Sequence, residues 1–370
     1  MRSADLTVRA QVVLPGPDLD DTVAFFADRL GFRLLSIWPA DDPQRAVMDG
    51  HGLCIELRRD SDAPPGELRL LCREPLPGTS VGDVLTAPNG TRIEVRAAEP
   101  ELSVPDGESS FCVSRADDGS EWVVGRAGMR YRDLLPDRQG GRFIASHIAI
   151  PDGGPVPDYV HYHRIRFQLI YCHRGWVRVV YEDQGGPFVM RPGDLVLQPP
   201  GIRHRVLESP SGLEVVELTC PALHETCADH ALDLPTGGLA PDRMFGGQRF
   251  LRHRADDAPW TGCAGGEAQE TGLRAATGGL ADARIVRPGG SSQLAFAAHD
   301  GELGFGFVLE GTARLERGED AFDLAPAAAF VIPPDEAWRL DQLSGDFRLL
   351  HLTTARIDEN CLAAGARSPL

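Results

Sequence analysis

Three blocks of sequence occur twice along the chain in the same order, and this repetition constrains the fold more than any other feature. The copies lie roughly 135 residues apart, as expected for a duplicated domain. The paired blocks are 141–154 with 279–290, 169–183 with 307–320, and 191–204 with 325–338. Each block is a short apolar run bounded by glycine or proline, which is typical of β-strands. The repetition therefore predicts two copies of one β-domain.

Glycine and proline interrupt the apolar runs almost everywhere, with 41 and 29 occurrences, and long helical patterns are nearly absent. One clear helix is predicted near the start, within PDLDDTVAFFADRLGF, where Asp18 or Asp20 can cap the first turn and Gly31 suits a left-handed stop. Predicted strands flank it at 11–14, 32–38, 45–50 and 52–58. The order strand, helix, three strands indicates a small α+β module.

We therefore predict a mainly β protein with three parts. Residues 1–125 form the α+β module of the βαβββ type and a linker. Residues 126–232 form a first β-barrel, and residues 233–370 form a second, degenerate one. The 370 residues exceed the size of one ordinary core, which agrees with such a division.

Composition excludes several classes of function. The net charge of −17 argues against nucleic acid or an anionic membrane surface as a partner. All 37 basic residues are arginine, which excludes lysine Schiff bases, lysine-bound pyridoxal phosphate and the P-loop lysine. No signal-peptide pattern or membrane-spanning apolar stretch is present, so a cytoplasmic location is expected. The eight cysteines form no C-x-x-C pair and are expected as reduced thiols, with a Cys220–Cys227 redox pair as the alternative.

Histidines mark the candidate site. His161 and His163 alternate on a predicted strand, so both imidazoles can point to one interior. Gln168 follows at an odd offset, and a bend or bulge is expected to bring it to the same face. His204 follows the turn Pro199-Pro200-Gly201, which can return the chain as an adjacent strand. Three neutral imidazoles with open positions left over are a way to hold a reactive divalent metal.

These residues resemble the two motifs of the cupin superfamily. The first motif corresponds to His161, His163, Gln168 and Gly175, and the second to Gly193, the turn at 199–201 and His204. The resemblance implies a jelly-roll barrel with one metal ion, ligated by His161, His163, His204 and Gln168. Fe(II) is the implied metal, with Zn, Ni or Mn as alternatives.

Two departures from the motif matter. Pro155 stands where the first motif has its leading glycine, and Gln168 stands where most cupins have glutamate. A glutamine oxygen brings no charge, so the ion would keep its full double charge and favour an anionic ligand. Whether Gln168 ligates or only packs nearby stays open. In the second copy, direct counting puts Ala297, His299, Gly304 and Trp338 at the four ligand positions, and that set cannot hold a metal.

The N-terminal module resembles the vicinal oxygen chelate superfamily, on PDLDDTVAFFADRLGF, the following strands and APNGTRIEV. The resemblance would put metal positions at Gln11 and Glu56. The second half of the module offers Glu94 but no convincing histidine, so a metal-free role in packing, dimerisation or ligand capture is preferred.

The predicted function is that of a non-haem Fe(II) dioxygenase acting on a small oxygenated or anionic organic molecule. The alternatives are an O₂-independent isomerase or lyase, for which a tyrosine or Glu217 is a guess for the base, and a small-molecule binding protein without turnover. A homodimer is possible by resemblance alone. Candidate substrate contacts near the first site are Tyr159, Tyr162, Tyr171, Arg164, Arg166, Arg178 and Arg203. His147 is expected to be a core histidine with a backbone partner or a residue supporting the site.

Overall fold

A computed structural model describes residues 10–116, 118–119, 121–263 and 265–356 of the chain. The chain divides into two compact units, 1–101 and 102–370. Residues 102–125, predicted as part of the linker, lie in the second unit. The predicted domain limits at 125 and 232 remain predictions.

The first unit has the predicted order of strand, helix and three strands, followed by three further strands. Its helical segment is α1 (Leu19–Ala24), continued by a π-helical turn, Phe25–Arg29. Its strands are β1 (Val12–Pro15), β2 (Arg33–Trp38), β3 (Arg45–Gly50), β4 (Leu53–Arg58), β5 (Glu67–Cys72), β6 (Val84–Thr86) and β7 (Arg92–Ala97). They form two sheets, in the orders β1-β4-β3-β2 and β5-β7-β6.

The helical segment packs its apolar face onto the first of these sheets. Phe26 and Leu30 are fully buried there, and Gly31 ends the segment with a positive φ of 74°, as predicted. Asp18 takes the N-cap position, but its side chain makes no capping hydrogen bond. Its carbonyl oxygen instead accepts hydrogen bonds from the backbone N–H and the hydroxyl of Thr22. The expectation of a side-chain cap at Asp18 was therefore wrong.

The second unit contains two jelly-roll domains, each made of a large and a small sheet. The strands up to the end of the first domain are β8 (Cys112–Ser114), β9 (Val123–Val124), β10 (Arg130–Asp133), β11 (Ile144–Ile150), β12 (Gly154–Pro155), β13 (His161–His163), β14 (Phe167–Arg174), β15 (Val177–Tyr181), β16 (Phe188–Met190), β17 (Leu195–Gln198), β18 (His204–Ser209), β19 (Leu213–Cys220) and β20 (Thr226–Ala228). A 3₁₀ turn at Arg126–Gly128 and a short helix, α2 (Arg138–Gly141), complete this part.

The remaining strands are β21 (Met244–Phe245), β22 (Gln248–Arg249), β23 (Leu251–His253), β24 (Trp260–Cys263), β25 (Gly266–Glu270), β26 (Ala281–Arg287), β27 (Leu294–Phe296), β28 (Leu303–Glu310), β29 (Ala313–Arg317), β30 (Asp320–Leu324), β31 (Ala329–Ile332), β32 (Trp338–Asp341) and β33 (Arg348–Thr354). A 3₁₀ turn at Ala255–Asp257 and the short helix α3 (Leu273–Ala276) lie among them.

The strand order of the two domains confirms the predicted duplication. The large sheet of the first domain runs β17-β14-β19-β11-β10-β9, and that of the second runs β31-β28-β33-β26-β25-β24. The small sheets correspond as well, with β16-β15-β18-β13 matched by β30-β29-β32-β27. Gly175 and Gly311, which occupy the same turn in the two copies, have almost the same positive φ, 76° and 73°. The protein is thus mainly β, with a repeated double-sheet architecture.

The two domains exchange edge strands. β23 pairs with β17 in the first domain's large sheet, and β8 pairs with β31 in the second domain's large sheet. The two large sheets also pack face to face, since one hydrophobic core contains Phe167 and Leu218 of the first domain together with Phe305, Phe307 and Leu350 of the second. The two domains therefore fold as one compact body.

Aromatic rings fill the interior of the second domain where the first carries histidines. Strand pairing places Phe296 opposite Trp338, just as His161 lies opposite His204, so Phe296 and not Ala297 corresponds to His161. Direct counting was wrong by one residue there. The rings of Phe296 and Trp338 stack with centroids 3.9 Å apart. His299 donates a hydrogen bond from Nε2 to the Ile332 carbonyl at 2.9 Å.

A buried histidine in this aromatic core predicts sensitivity to acid. Burial lowers the pKa of His351 to about 3, because its neutral ring lies against Phe296 and Trp338. Below the ordinary pKa of 6.5 the unfolded chain binds a proton that the folded chain does not, so folding weakens as the pH falls. Between pH 7 and pH 5, the free energy of unfolding of wild type should fall by about 2 kcal/mol more than that of His351→Phe. Chemical denaturation of both proteins at pH 7 and pH 5 measures these free energies. If wild type and His351→Phe differed in stability by the same amount at both pH values, the prediction would be contradicted.

The described part of the chain contains no helix long and apolar enough to cross a membrane. The seven cysteines within it are free thiols, including Cys220 and Cys227, as expected for reduced cysteines. Cys361 lies outside the described residues.

Candidate metal centre

The three predicted histidines meet inside the first domain. His161 and His163 alternate on β13 with both side chains directed inward, and β18 begins at His204, directly opposite His161. The turn at 199–201 therefore returns the chain as the neighbouring strand, as predicted. Their ring centroids lie 4.2 to 5.3 Å apart, and their ligand nitrogens all lie within 4.8 Å of one another. All three side chains are buried.

Gln168 lies on the opposite sheet of the same cavity. The chain leaves β13 in the small sheet, turns over residues 164–166 and enters β14 in the large sheet, which faces it. A crossing between sheets, and not the expected bend within one strand, accommodates the odd spacing. Gln168 lines the cavity together with the three histidines. All four predicted site residues are thus brought together.

The Nδ1 atoms of the histidines are all engaged, which leaves the Nε2 atoms for an ion. His161 Nδ1 lies 2.8 Å from the carbonyl oxygen of Tyr159, and His204 Nδ1 lies 3.0 Å from that of Ile202. A carbonyl oxygen only accepts hydrogen bonds, so Nδ1 carries the proton in both rings and Nε2 presents a lone pair. His163 Nδ1 lies 3.0 Å from the Thr226 hydroxyl. Such partners orient metal-binding imidazoles.

Burial keeps these imidazoles neutral. It is the main cause that lowers the pKa of His161, His163 and His204, and the Arg126 guanidinium adds to it. Repulsion from neighbouring histidines lowers the pKa of His163 and His204 further. The Nε2 atom of His161 is buried and has no hydrogen-bond partner. An unsatisfied buried nitrogen is costly. A cation among the three Nε2 atoms would satisfy it, so the donor set fits a divalent metal.

Gln168 lies next to a half-buried carboxyl group, Glu217 on β19. The two side chains share a hydrogen bond, while Gln168 Oε1 is buried and without a partner. The Gln168 amide nitrogen is therefore the donor to Glu217, and its oxygen is free to face an ion. Burial raises the pKa of Glu217 to about 7, against the opposing effects of Arg126 and of this hydrogen bond.

The cavity, about 360 Å³ in volume, is polar at one end and apolar at the other. Strand pairing defines rows of residues across each sheet. In the small sheet the row Tyr181, His204, His161 is followed by Val179 with Val206, and then by Val177 with Met190. In the large sheet, a row of glutamine side chains is followed by the row that contains Glu217, and the next row consists of aliphatic side chains. A ligand with polar atoms at one end and an apolar body matches this gradient.

Several residues that line the cavity were not predicted from the sequence. Arg126, Tyr131 and His224 all line the cavity, and the His224 ring lies 5.5 Å from that of His163. Arg126 forms an ion pair with Asp158, a buried residue whose carboxylate lies 3.7 Å from His161 Nδ1. No local pattern marks these residues, since Arg126, Asp158 and His224 lie outside the regular strands and Tyr131 lies on a short strand next to the sheet edge. Glu217, which the sequence suggested as a candidate base, does line the cavity.

None of the seven predicted substrate contacts lines the cavity. Tyr171 faces the other domain, and the arginines pair with carboxylates elsewhere. His147 is buried, as expected of a core histidine, but its partners are the side chains of Glu214 and Arg132 and not a backbone group. It points away from the cavity and so does not support the site.

The two module positions suggested by resemblance do not form an evident site. Gln11 is exposed, and Glu56 lies 3.9 Å from the guanidinium groups of both Arg45 and Arg58. Glu94 is held by Arg69, Arg92 and Arg96. Within the described residues of the first unit, no three histidine, cysteine or carboxylate side chains lie close enough to share an ion.

Comparison with known proteins adds a partial family match. Residues 154–254 match the family model of the AraC-like ligand binding domain, a stretch that contains all four candidate ligands. No curated protein matches the chain.

Three solved structures illustrate the structural likeness. A variant of the Bacillus subtilis oxalate decarboxylase has a TM-score of 0.49 and 14% identity, over 69% of this chain and 80% of that chain. The formate complex of the Lactobacillus farciminis oxalate decarboxylase has a TM-score of 0.49 and 13% identity, over 70% and 88%. The E. coli protein Ylba has a TM-score of 0.48 and 13% identity, over 70% and 96%. At this level of similarity no activity carries over to this chain.

Proposed function

We propose that this chain is a metal-dependent cupin enzyme, and specifically a non-haem Fe(II) dioxygenase acting on a small, partly apolar organic molecule with an oxygenated or anionic head group. One observation carries the proposal: three buried imidazoles present convergent Nε2 lone pairs, because carbonyl oxygens fix the opposite nitrogen as the proton carrier in His161 and His204. Gln168 is the proposed fourth ligand, through its unpartnered oxygen. Zn, Ni or Mn would fit the same donors.

The residues around the ligands have separate proposed roles. Bound Fe(II) would supply Lewis acidity and one-electron chemistry with O₂. Arg126 lines the cavity beside its ion-pair partner Asp158 and would donate hydrogen bonds to an anionic head group. The Glu217 carboxyl can hold a proton beside Gln168, within reach of a bound molecule in the same cavity. The aliphatic rows would bury the apolar body and exclude water.

Two observations favour the alternatives. A half-buried carboxyl group that can hold a proton suits an isomerase or lyase that needs no O₂. The match to a ligand-binding family over 154–254 suits a binding protein without turnover. The N-terminal module, which resembles the vicinal oxygen chelate superfamily, would serve in packing, dimerisation or ligand capture. A homodimer and a cytoplasmic location remain proposals.

One experiment separates these functions. The protein is purified anaerobically, reconstituted with Fe(II), and tested for O₂ uptake against β-diketones, catechols, flavonols and keto acids. Uptake coupled to product that contains both oxygen atoms supports the dioxygenase. Product formed without O₂ supports the isomerase or lyase and contradicts the dioxygenase. Saturable binding without product supports the binding protein.

The charge of the fourth ligand gives a further prediction. Gln168→Glu should strengthen metal binding and weaken the binding of anionic ligands by about tenfold, because a carboxylate cancels one unit of the ion's charge. Titration of the metal-loaded proteins with a carboxylate ligand and with its matched neutral methyl ester measures the effect. The neutral ligand is the control and should change little. Equal or tighter binding of the anion in the variant would contradict the charge argument.

A further inference from the structure

We propose that His147, His173 and Glu214 form a second metal site, independent of the cavity. Each offers one ligand atom, and the three atoms lie within 4.8 Å of one another. The donor set of two imidazoles and one carboxylate suits a borderline divalent ion such as Zn²⁺ or Co²⁺.

Strand alternation places this cluster on the opposite face of the first large sheet from the cavity. On β11, Ser146 and Ile148 line the cavity, so His147 between them points the other way. On β19, Leu213 and Val215 line the cavity, so Glu214 also points away. The strands β11, β19 and β14 are adjacent in the sheet, and this brings the side chains together.

The arrangement leaves one buried nitrogen without a partner. His173 is only 8% exposed, and its Nε2 atom makes no hydrogen bond although it lies 3.9 Å from Glu214 Oε2. His147 Nε2 lies 3.0 Å from the same oxygen. Two ligands of a tetrahedral zinc ion are separated by about 3.3 Å, given metal–nitrogen distances of about 2.0 Å. The distances from Glu214 Oε2 to the two histidine nitrogens, 3.0 and 3.9 Å, lie on either side of that value.

The surrounding groups leave the required atoms available. Arg174 lies 3.5 Å from Glu214 Oε1, so Oε2 remains for the ion, and the partial exposure of Glu214 gives water access to the fourth position. Without an ion, His147 donates its Nε2 proton to Glu214. With an ion, this proton moves to Nδ1 and the imidazole stays neutral. The move turns Nδ1 from an acceptor into a donor, so the Arg132 nitrogen 3.4 Å away has to shift, while Arg132 stays anchored by its 2.7 Å hydrogen bond to the Ala327 carbonyl.

An ion at this place would be held by the first jelly-roll domain and would lie next to its interface with the second. Phe307 of the second domain packs against both imidazoles, with ring centroids 5.6 Å from His147 and 5.4 Å from His173. Coordination would fix these rings in the orientation that the Phe307 contact requires. The site is therefore structural in kind, and its occupancy should raise the melting temperature.

Zinc stoichiometry tests the proposal in the full chain. Wild type, Glu214→Gln, His173→Gln and His161→Ala are stripped with chelator, titrated with ZnCl₂ by calorimetry, and melted with and without zinc. Glu214→Gln keeps an acceptor for His147 and removes only the charge, which protects the fold. Circular dichroism of each stripped variant checks folding.

We expect two zinc ions per chain in wild type, and one in each variant. The melting temperature of His161→Ala should rise with zinc, whereas that of the double variant His161→Ala, Glu214→Gln should not. One ion in wild type with none in His161→Ala would overturn the second site. Two ions retained in both Glu214→Gln and His173→Gln would overturn it as well. One ion that persists in His161→Ala but is lost in Glu214→Gln would support this site and contradict the cavity site of the proposed function.

Discussion

Replacing His161 with alanine is expected to lower the affinity of the cavity for a divalent ion by at least about a hundredfold and to abolish turnover. Loss of an outer hydrogen-bond partner alone typically costs ten- to a hundredfold in metal affinity, and loss of a ligand should cost more. Only two imidazoles and a neutral amide would remain to hold the ion. The ion content after dialysis, determined in a Glu214→Gln background, measures the cavity site alone.

The matched control is His230→Ala. His230 is an exposed histidine that does not line the cavity, although its ring lies 5.8 Å from that of Tyr159. Its replacement should leave metal content and turnover unchanged. Stoichiometric, tightly bound metal in the His161→Ala protein would remove the basis of the proposed function.

Replacing Phe307 with alanine should reduce the free energy of unfolding by about 3–5 kcal/mol, the usual cost of deleting a buried phenylalanine. Phe307 is fully buried in the core that the two jelly-roll domains share. Because the core is shared, both domains should be destabilised together. Denaturation in the presence of a chelator, followed by tryptophan fluorescence and by circular dichroism, measures the change without a contribution from bound metal.

Val123→Ala is the control for this prediction, since Val123 is 63% exposed and its truncation should change stability by no more than about 0.5 kcal/mol. Two separate transitions, of which only one shifts in Phe307→Ala, would show that the domains unfold independently. That result would contradict the shared core as the main link between them.

The fold was largely predictable because its signals are local or repeated. The helix near Asp18, the strands around it and the duplicated blocks all follow from the period of apolar residues and from glycine and proline. The error at Phe296 has an equally local origin. Direct counting assumes equal loop lengths, whereas strand pairing allows a loop to absorb one residue.

The sequence by itself determined the pairing of His161 with His163, because alternation on a strand fixes which side chains share a face. It also determined the return to His204, because a proline-glycine turn leads into the neighbouring strand. Only the tertiary structure decided that Gln168 reaches them from the facing sheet, that Glu217 and Arg126 join them, and that His147 turns away toward the other domain. Those contacts depend on which distant strands become neighbours. That order is set by the burial of whole sheet faces and not by any local spacing.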